Sequence, residues 1–279
     1  MIITITHNSQ SQQGLLFKPR QVNLHTHSVF CGHGKGSVND YVESAVANEV
    51  RVLGCSEHAP VPDERWSRTR MPFSRIGEYM HDVEQAQADR RLTVLKAVEC
   101  DYLGDYQNYY RDEFVGKWKC DYLIGAIHFV NFSDAKDISI HNGHIGKREL
   151  ARYTEHYVDM LASGLFLFGA HPDVFGCMYR VWDDEAKACS QAIIQAAKTY
   201  NVPLEINGNG FRRNKILSSK GLVRPYPIRH FWEMACEAKV TAITNSDAHK
   251  PEDLTVSFDT SVAFANSIGI ELASFELIE

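Results

Sequence analysis

The chain has 279 residues, of which 44% are hydrophobic and 23% charged, with a formal net charge of −6. That length suits one α/β barrel as well as two smaller domains, and the apolar share is enough for a substantial core. The acidic balance argues against a nucleic-acid partner, no apolar run approaches the ~20 residues of a membrane helix, and the N-terminus lacks the features of a signal peptide, so a cytoplasmic protein is expected.

Roughly the first twenty residues read as irregular. From there short apolar runs recur: QVNLH from Gln21, RVLGCSEH from Arg51, TVLKAVE from Thr93 and YLIGAIHF from Tyr122. LFLFGAH from Leu165, VPLEIN from Val202 and VTAITNSDAH from Val240 complete the set. Each is rich in Val, Ile, Leu and Phe and ends on a polar stop, as a strand buried on both faces does. Stretches with helical spacing lie between them. Val38, Tyr41, Val42, Ala45 and Val46 form one stripe, with Asn39 and Asp40 near its start, and Ile76, Tyr79, Met80 and Val83 form a second. Asp184 to Tyr200 and Ile228 to Ala238 repeat the pattern. This alternation implies a parallel sheet, open or closed, in one domain spanning residues 1–279. Two long insertions, Ala59 to Ser74 and Asn131 to Gly146, have the length of functional lids. The seven cysteines include no C-x-x-C pair and read as scattered reduced thiols.

The informative feature is where the histidines fall. Of thirteen, His25, His58, His128, His171 and His249 stand at or just past the end of a predicted strand. His27 and His33 follow in the loop after His25, while Glu99 and Asp247 end two further strands. In a parallel barrel all those ends meet at one rim. Imidazoles mixed with carboxylates suit zinc, manganese or iron rather than magnesium or calcium. Seven histidines and two acids exceed the needs of one ion, so two or three divalent transition-metal ions are implied. The remaining histidines read as structural: His7 in the N-terminal segment, His81, His156 and His230 within helical patterns, and His141 and His144 in an exposed loop.

NLHTHSVFCGHG, SEHAP, the Glu of AVECDY, GAIHF, AHPD and NSDAH occur in the order that marks the PHP superfamily of phosphoesterases, which the chain resembles from about Val22 onward. The spelling FCGHG, SEHAPVP, EINGNGFRR and RPYP is similar to the histidinol-phosphate phosphatase branch. The resemblance implies a distorted (β/α)7 TIM-like barrel with a trinuclear centre at the C-terminal rim of the strands. Carried onto matching positions, His25, His27, Glu99 and Asp247 would hold one metal. Glu99 would bridge to a second, shared with His128 and His171. His33, His58 and His249 would hold the third. Asn23 departs from the Asp often found in the first motif and supplies a hydrogen bond without charge.

The activity so implied is hydrolysis of L-histidinol phosphate to L-histidinol and phosphate, a step of histidine biosynthesis. A metal-bridging hydroxide would attack phosphorus in line, with Glu99 as the bridge and Asp247 or a water protonating the leaving alkoxide. Arg212 and Arg213, after the strand VPLEIN, and Arg180, after AHPD, are candidates for the phosphate oxygens. Glu57, Asp63, Tyr102 and Tyr226 are candidates for the ammonium and imidazole. Two enzymatic alternatives are a PHP phosphoesterase for another small phosphate ester and a metal-dependent amide hydrolase. The third is a non-catalytic regulatory barrel, which would bind metal without turnover.

Overall fold

Each apolar run of the sequence is a strand, and the seven lie parallel because a helical connection returns the chain to the same end every time. The structure is a computed structural model that describes residues 2–6, 14–132, 135–141, 143–218 and 221–278, so His7 lies outside it. In chain order, β1 (Ile2–Thr6) and β2 (Leu15–Phe17) precede β3 (Val22–Asn23), β4 (Val52–His58), β5 (Thr93–Asp101) and β6 (Tyr122–Ala126). A hairpin of β7 (Phe129–Phe132) and β8 (Ala135–Ser139) follows, then β9 (Phe168–Gly169) and β10 (Leu204–Asn207). A second hairpin, β11 (Ile216–Ser218) and β12 (Gly221–Val223), precedes β13 (Ala242–Asn245) and β14 (Ser274–Ile278).

The seven-stranded sheet has the order β13-β10-β9-β6-β5-β4-β3. Its edges nearly meet: Thr26 and Ala248 form a parallel bridge, the His27 amide donates to the Ala248 carbonyl at 2.8 Å, and the Leu24 amide donates to Asn245 Oδ1. The result is a distorted seven-stranded barrel. The helices around it are α1 (Val38–Ala47), α2 (Ile76–Ala86), α3 (Gln107–Tyr109), α4 (Lys147–Ala162), α5 (Asp184–Tyr200), α6 (Gly208–Arg212), α7 (Arg229–Glu237) and α8 (Phe258–Ile268). The apolar stripe of α1 is buried as its spacing predicts. Its N-cap is Ser37, two residues before Asn39; the Ser37 hydroxyl accepts from the Asp40 amide while Asp40 accepts from Ser37 in return.

Strand alternation divides the core in two. Val22, Leu24, Val52, Leu95, Ala97, Ile124, Phe168 and Ile243 fill the barrel interior, while Leu53, Cys55, Val98, Leu123, Leu204 and Ile206 pack outward under the helices. Of the N-terminal residues read as irregular, Ile2–Thr6 and Leu15–Phe17 are strands. β1 and β2 flank β14 in an antiparallel sheet, with Ile3 opposite Leu277 and Phe17 opposite Phe275, and Ile3, Phe275 and Leu277 join the interior cluster. The two segments expected to act as insertions differ in kind: 59–74 carries no strand, whereas 131–146 contains the rest of the β7–β8 hairpin. All seven cysteines are free. Among the described residues no helix is long and apolar enough to cross a membrane.

Candidate metal centre

Side chains two apart on a strand share a face, so those above the interior apolar residues must converge at the rim. Glu99 follows Leu95 and Ala97 into the barrel and sits at its centre, 1% exposed. Around its two oxygens stand His58 Nδ1 at 2.7 Å, His171 Nε2 at 3.0 Å, His25 and His27 Nε2 at 3.4 Å each, and His128 Nε2 at 3.6 Å. Asp247 Oδ1 lies 3.2 Å from His27 Nε2, 3.8 Å from His25 Nε2 and 3.4 Å from His249 Nδ1. His33 completes the group, with its ring 4.7 Å from that of His249 and 5.4 Å from that of His58. All nine sequence-predicted ligand residues thus come together. His171 and Asp247 do so with φ of 31° and 47°, a left-handed backbone that costs a residue with a Cβ about 1 kcal/mol and is concentrated at functional sites.

The donor set fits divalent cations. His25 Nε2, both ring nitrogens of His27, His58 Nδ1, His171 Nδ1 and Glu99 Oε2 are buried without a hydrogen-bond partner. Buried polar groups are normally paired, so six such atoms in one place call for a ligand. Donor atoms of His25, His27 and Asp247, of His25, Glu99 and His171, of His58, Glu99 and His128, and of His27, His58 and His249 each lie within 4.8 Å of one another. Burial holds the His58 and His128 imidazoles far below their ordinary range and His249 down at about 3, so their lone pairs are free at neutral pH. Burial pushes the Glu99 and Asp247 carboxyls up, but the surrounding histidines outweigh it and hold both well below the usual carboxylate range.

Carboxylates behind the ring orient it. Glu205 lies between outward-facing Leu204 and Ile206 and therefore points inward, fully buried. It accepts from His25 Nδ1 at 2.9 Å, the His171 amide at 3.2 Å, Asn207 Nδ2 at 2.8 Å and Asn245 Nδ2 at 3.0 Å. That fixes the tautomer of His25 with Nε2 free toward Glu99. Asp101 plays the same part for His128: it accepts from the His128 amide at 2.6 Å, lies 3.2 Å from Nδ1, and is ion-paired to buried Arg70. Asn23, the departure from the family pattern, donates to Ser246 Oγ and the Leu254 carbonyl, tying β3 to the loop after β13. None of Glu205, Asp101 and Arg70 was singled out from the sequence. For Glu205 and Asp101 the available signal was a charged residue on a strand otherwise buried on both faces; Arg70, in the 59–74 segment, carried none.

The centre opens into a cavity of about 620 Å³ lined by His33, His58, His128, His171, Asp247 and His249 on its floor, with Arg213, Tyr226, Trp66 and His141 in its walls. Of the three candidate arginines only Arg213 lines it. Arg212 donates to Ser257 Oγ, the Ser246 carbonyl and the Asp247 carbonyl, bracing the loop that carries Asp247. Arg180 lines a separate cavity with Trp182 and Arg229. Glu57 follows the alternation as well: one residue before inward-facing His58, it points outward, accepts from the Ser28 amide and sits beneath the His27–Cys31 loop. Asp63 is bound to Arg65 and Tyr106, and Tyr102 does not reach the cavity. His141, expected in an exposed loop, is half-buried against His128, whereas His144 is exposed.

A family model described as the PHP domain matches residues 23–209. A probable histidinol-phosphatase of Deinococcus radiodurans is 23% identical over 262 residues, covering 90% of this chain and 95% of that one. A second protein of that name, from Schizosaccharomyces pombe, is 22% identical and covers 89% of this chain and 87% of its own. The crystal structure of histidinol phosphate phosphatase from Lactococcus lactis, complexed with zinc, L-histidinol and phosphate, shares the fold with a TM-score of 0.69 at 18% identity, over 92% of this chain and 97% of that one. With its motifs in order at the rim of a seven-stranded barrel, the chain belongs to the PHP domain family.

Proposed function

We propose that the protein is a metal-dependent phosphomonoesterase whose substrate is L-histidinol phosphate, cleaved to L-histidinol and phosphate. The observation that carries this reading is the buried cluster of unpaired imidazole nitrogens around Glu99, opening into a cavity with an arginine in its wall. The names of the relatives support it, as does the zinc, L-histidinol and phosphate recorded in the Lactococcus protein. His25, His27, Glu99 and Asp247 would hold one ion, Glu99, His128 and His171 a second, and His33, His58 and His249 a third, with zinc, manganese or iron suited to this donor set. Such ions offset the charge of a phosphate dianion and make water acidic enough to act as nucleophile near neutral pH.

The chain's own residues do the rest. Arg213, with Tyr226 beside it and no carboxylate of the described residues bound to its guanidinium, presents its fork to the phosphate oxygens. Arg213→Lys should raise KM or weaken inhibition by inorganic phosphate by about 10–100-fold, because a planar bidentate donor is replaced by a point charge. Arg212→Lys should instead lower stability, by about 1.5–3 kcal/mol, since it strips charge-assisted bonds from the backbone carbonyls of Ser246 and Asp247. Steady-state kinetics and urea unfolding of the two variants separate these outcomes.

One feature of the cavity favours a second reading, a small phosphate ester without a cationic group. Among the described lining residues Asp247 is the one carboxylate, whereas Arg68, Arg70 and Arg213 are cationic. Phosphate release from L-histidinol phosphate, glycerol phosphate and phenyl phosphate, before and after exhaustive chelation, decides between them. Preference for L-histidinol phosphate, lost on chelation and restored by manganese or zinc, is the expected result. Faster metal-dependent release from the uncharged alcohols' esters would replace the substrate and keep the enzyme class, and turnover that survives chelation would remove the metal from the mechanism.

A further inference from the structure

Among the described residues, three buried polar atoms of cavity-lining side chains outside the nine candidate ligands have no hydrogen-bond partner, Trp66 Nε1, His141 Nδ1 and Arg70 Nε; the Arg70 guanidinium is held by its ion pair with Asp101, which leaves the first two. A donor or acceptor shut away from water is costly unless something arrives to pair with it. Both belong to one neighbourhood. Phe129 opens β7 and pairs in register with Ser139, which ends β8; His141 follows two residues later, its amide donating to Ser139 Oγ at 3.2 Å. Trp66 lies flat on the Phe129 ring at 4.4 Å with 4° between the planes, and the His141 ring stands 5.4 Å from that of His128. The two therefore flank the metal-side end of the hairpin.

The placement of Trp66 is held from outside. Its backbone has φ of 62°, which a bulky residue adopts only where its surroundings impose it. Arg65, against the indole face, reaches across to Asp137 on β8 with Nη1 to Oδ2 at 3.6 Å, and Arg70 packs on both the Trp66 and Phe129 rings. The wall thus leaves an indole N–H and an imidazole ring nitrogen unpaired.

We propose that Trp66 and His141 determine specificity for the alcohol half of the substrate, the indole N–H donating to the bare nitrogen of a neutral imidazole and His141 Nδ1 accepting from its N–H. The inference rests on the L-histidinol phosphate reading and deepens it. A neutral imidazole carries one acceptor and one donor on a flat ring, which matches what the wall leaves unpaired. A site built from such groups discriminates strongly against analogues that leave them bare.

The test compares kcat/KM on L-histidinol phosphate with kcat/KM on phenyl phosphate for the metal-loaded wild type, Trp66→Phe, His141→Leu and His141→Asn. Phenylalanine keeps the stacking on Phe129 and removes only the N–H; asparagine keeps an acceptor near the place of Nδ1. Taking the ratio within one preparation cancels differences in folded, metal-loaded enzyme. The expected result is a fall in the ratio of about 10–100-fold in Trp66→Phe and His141→Leu, partly restored in His141→Asn, with inhibition by L-histidinol weakened in step. If the wild type prefers L-histidinol phosphate and both variants keep that preference, the assignment of these two residues is overturned while the substrate stands. If the wild type shows no such preference, the substrate reading fails and takes this proposal with it.

Discussion

Glu99→Ala is expected to lower phosphate release by at least about 10³-fold and to leave the purified protein short of metal. Among the described residues Glu99 is the one side chain within 3.6 Å of five imidazole nitrogens, those of His25, His27, His58, His128 and His171. Two of the candidate cation positions draw on its two oxygens. Removing it deletes a shared negative charge from a place where water cannot substitute, because the carboxylate is buried. Glu99→Gln separates charge from shape: the amide fills the same space but brings no charge to the cluster, so most of the loss should remain. Metal stoichiometry by elemental analysis gives a readout independent of turnover. Full metal content with turnover within tenfold of wild type would end the bridging assignment.

Glu205→Ala should cost about 10–100-fold in metal affinity although Glu205 touches no candidate cation position. Its oxygens take hydrogen bonds from four groups: His25 Nδ1, the His171 amide and the side-chain amides of Asn207 and Asn245. Without them His25 is free to turn or to exchange tautomers, and the lone pair aimed at Glu99 is no longer fixed. The same change leaves several buried donors unpaired, which should also lower stability by about 3 kcal/mol. Titration of the apo-protein with zinc against a competing chelator measures the first effect, and urea unfolding of the metal-free protein the second. Wild-type zinc affinity in a protein that has lost stability would assign Glu205 to folding alone.

How much of this was visible in the residue order depends on the kind of interaction. The seven barrel strands were legible because a strand buried on both faces must be apolar throughout, and each such run of the sequence is a strand of the sheet. The histidines were legible because a parallel barrel sends every strand end to one rim, so position along the chain translates directly into position in space. β1, β2 and β14 carried no comparable signal. β1 finds its partner 276 residues away at Ile278, opposite Ile2, and such a pairing leaves no local mark.

The side chains around the metal cluster mark the other boundary. Arg212 and Arg213 are neighbours in sequence, yet one braces the Asp247 loop and the other faces the cavity, because α6 ends at Arg212 and the chain turns to an extended conformation at Arg213. Glu57 and His58 are likewise adjacent and point to opposite faces, as strand pleating requires. His141 looked like a loop residue and became part of the cavity wall when its hairpin folded over His128. The sequence by itself therefore determined the seven barrel strands and the nine residues that converge on the barrel rim, since both follow from periodicity and strand polarity. Only the tertiary structure decided which arginine, which second carboxylates and which wall residues face the cavity, since side-chain direction in turns and contacts between distant segments are set by packing.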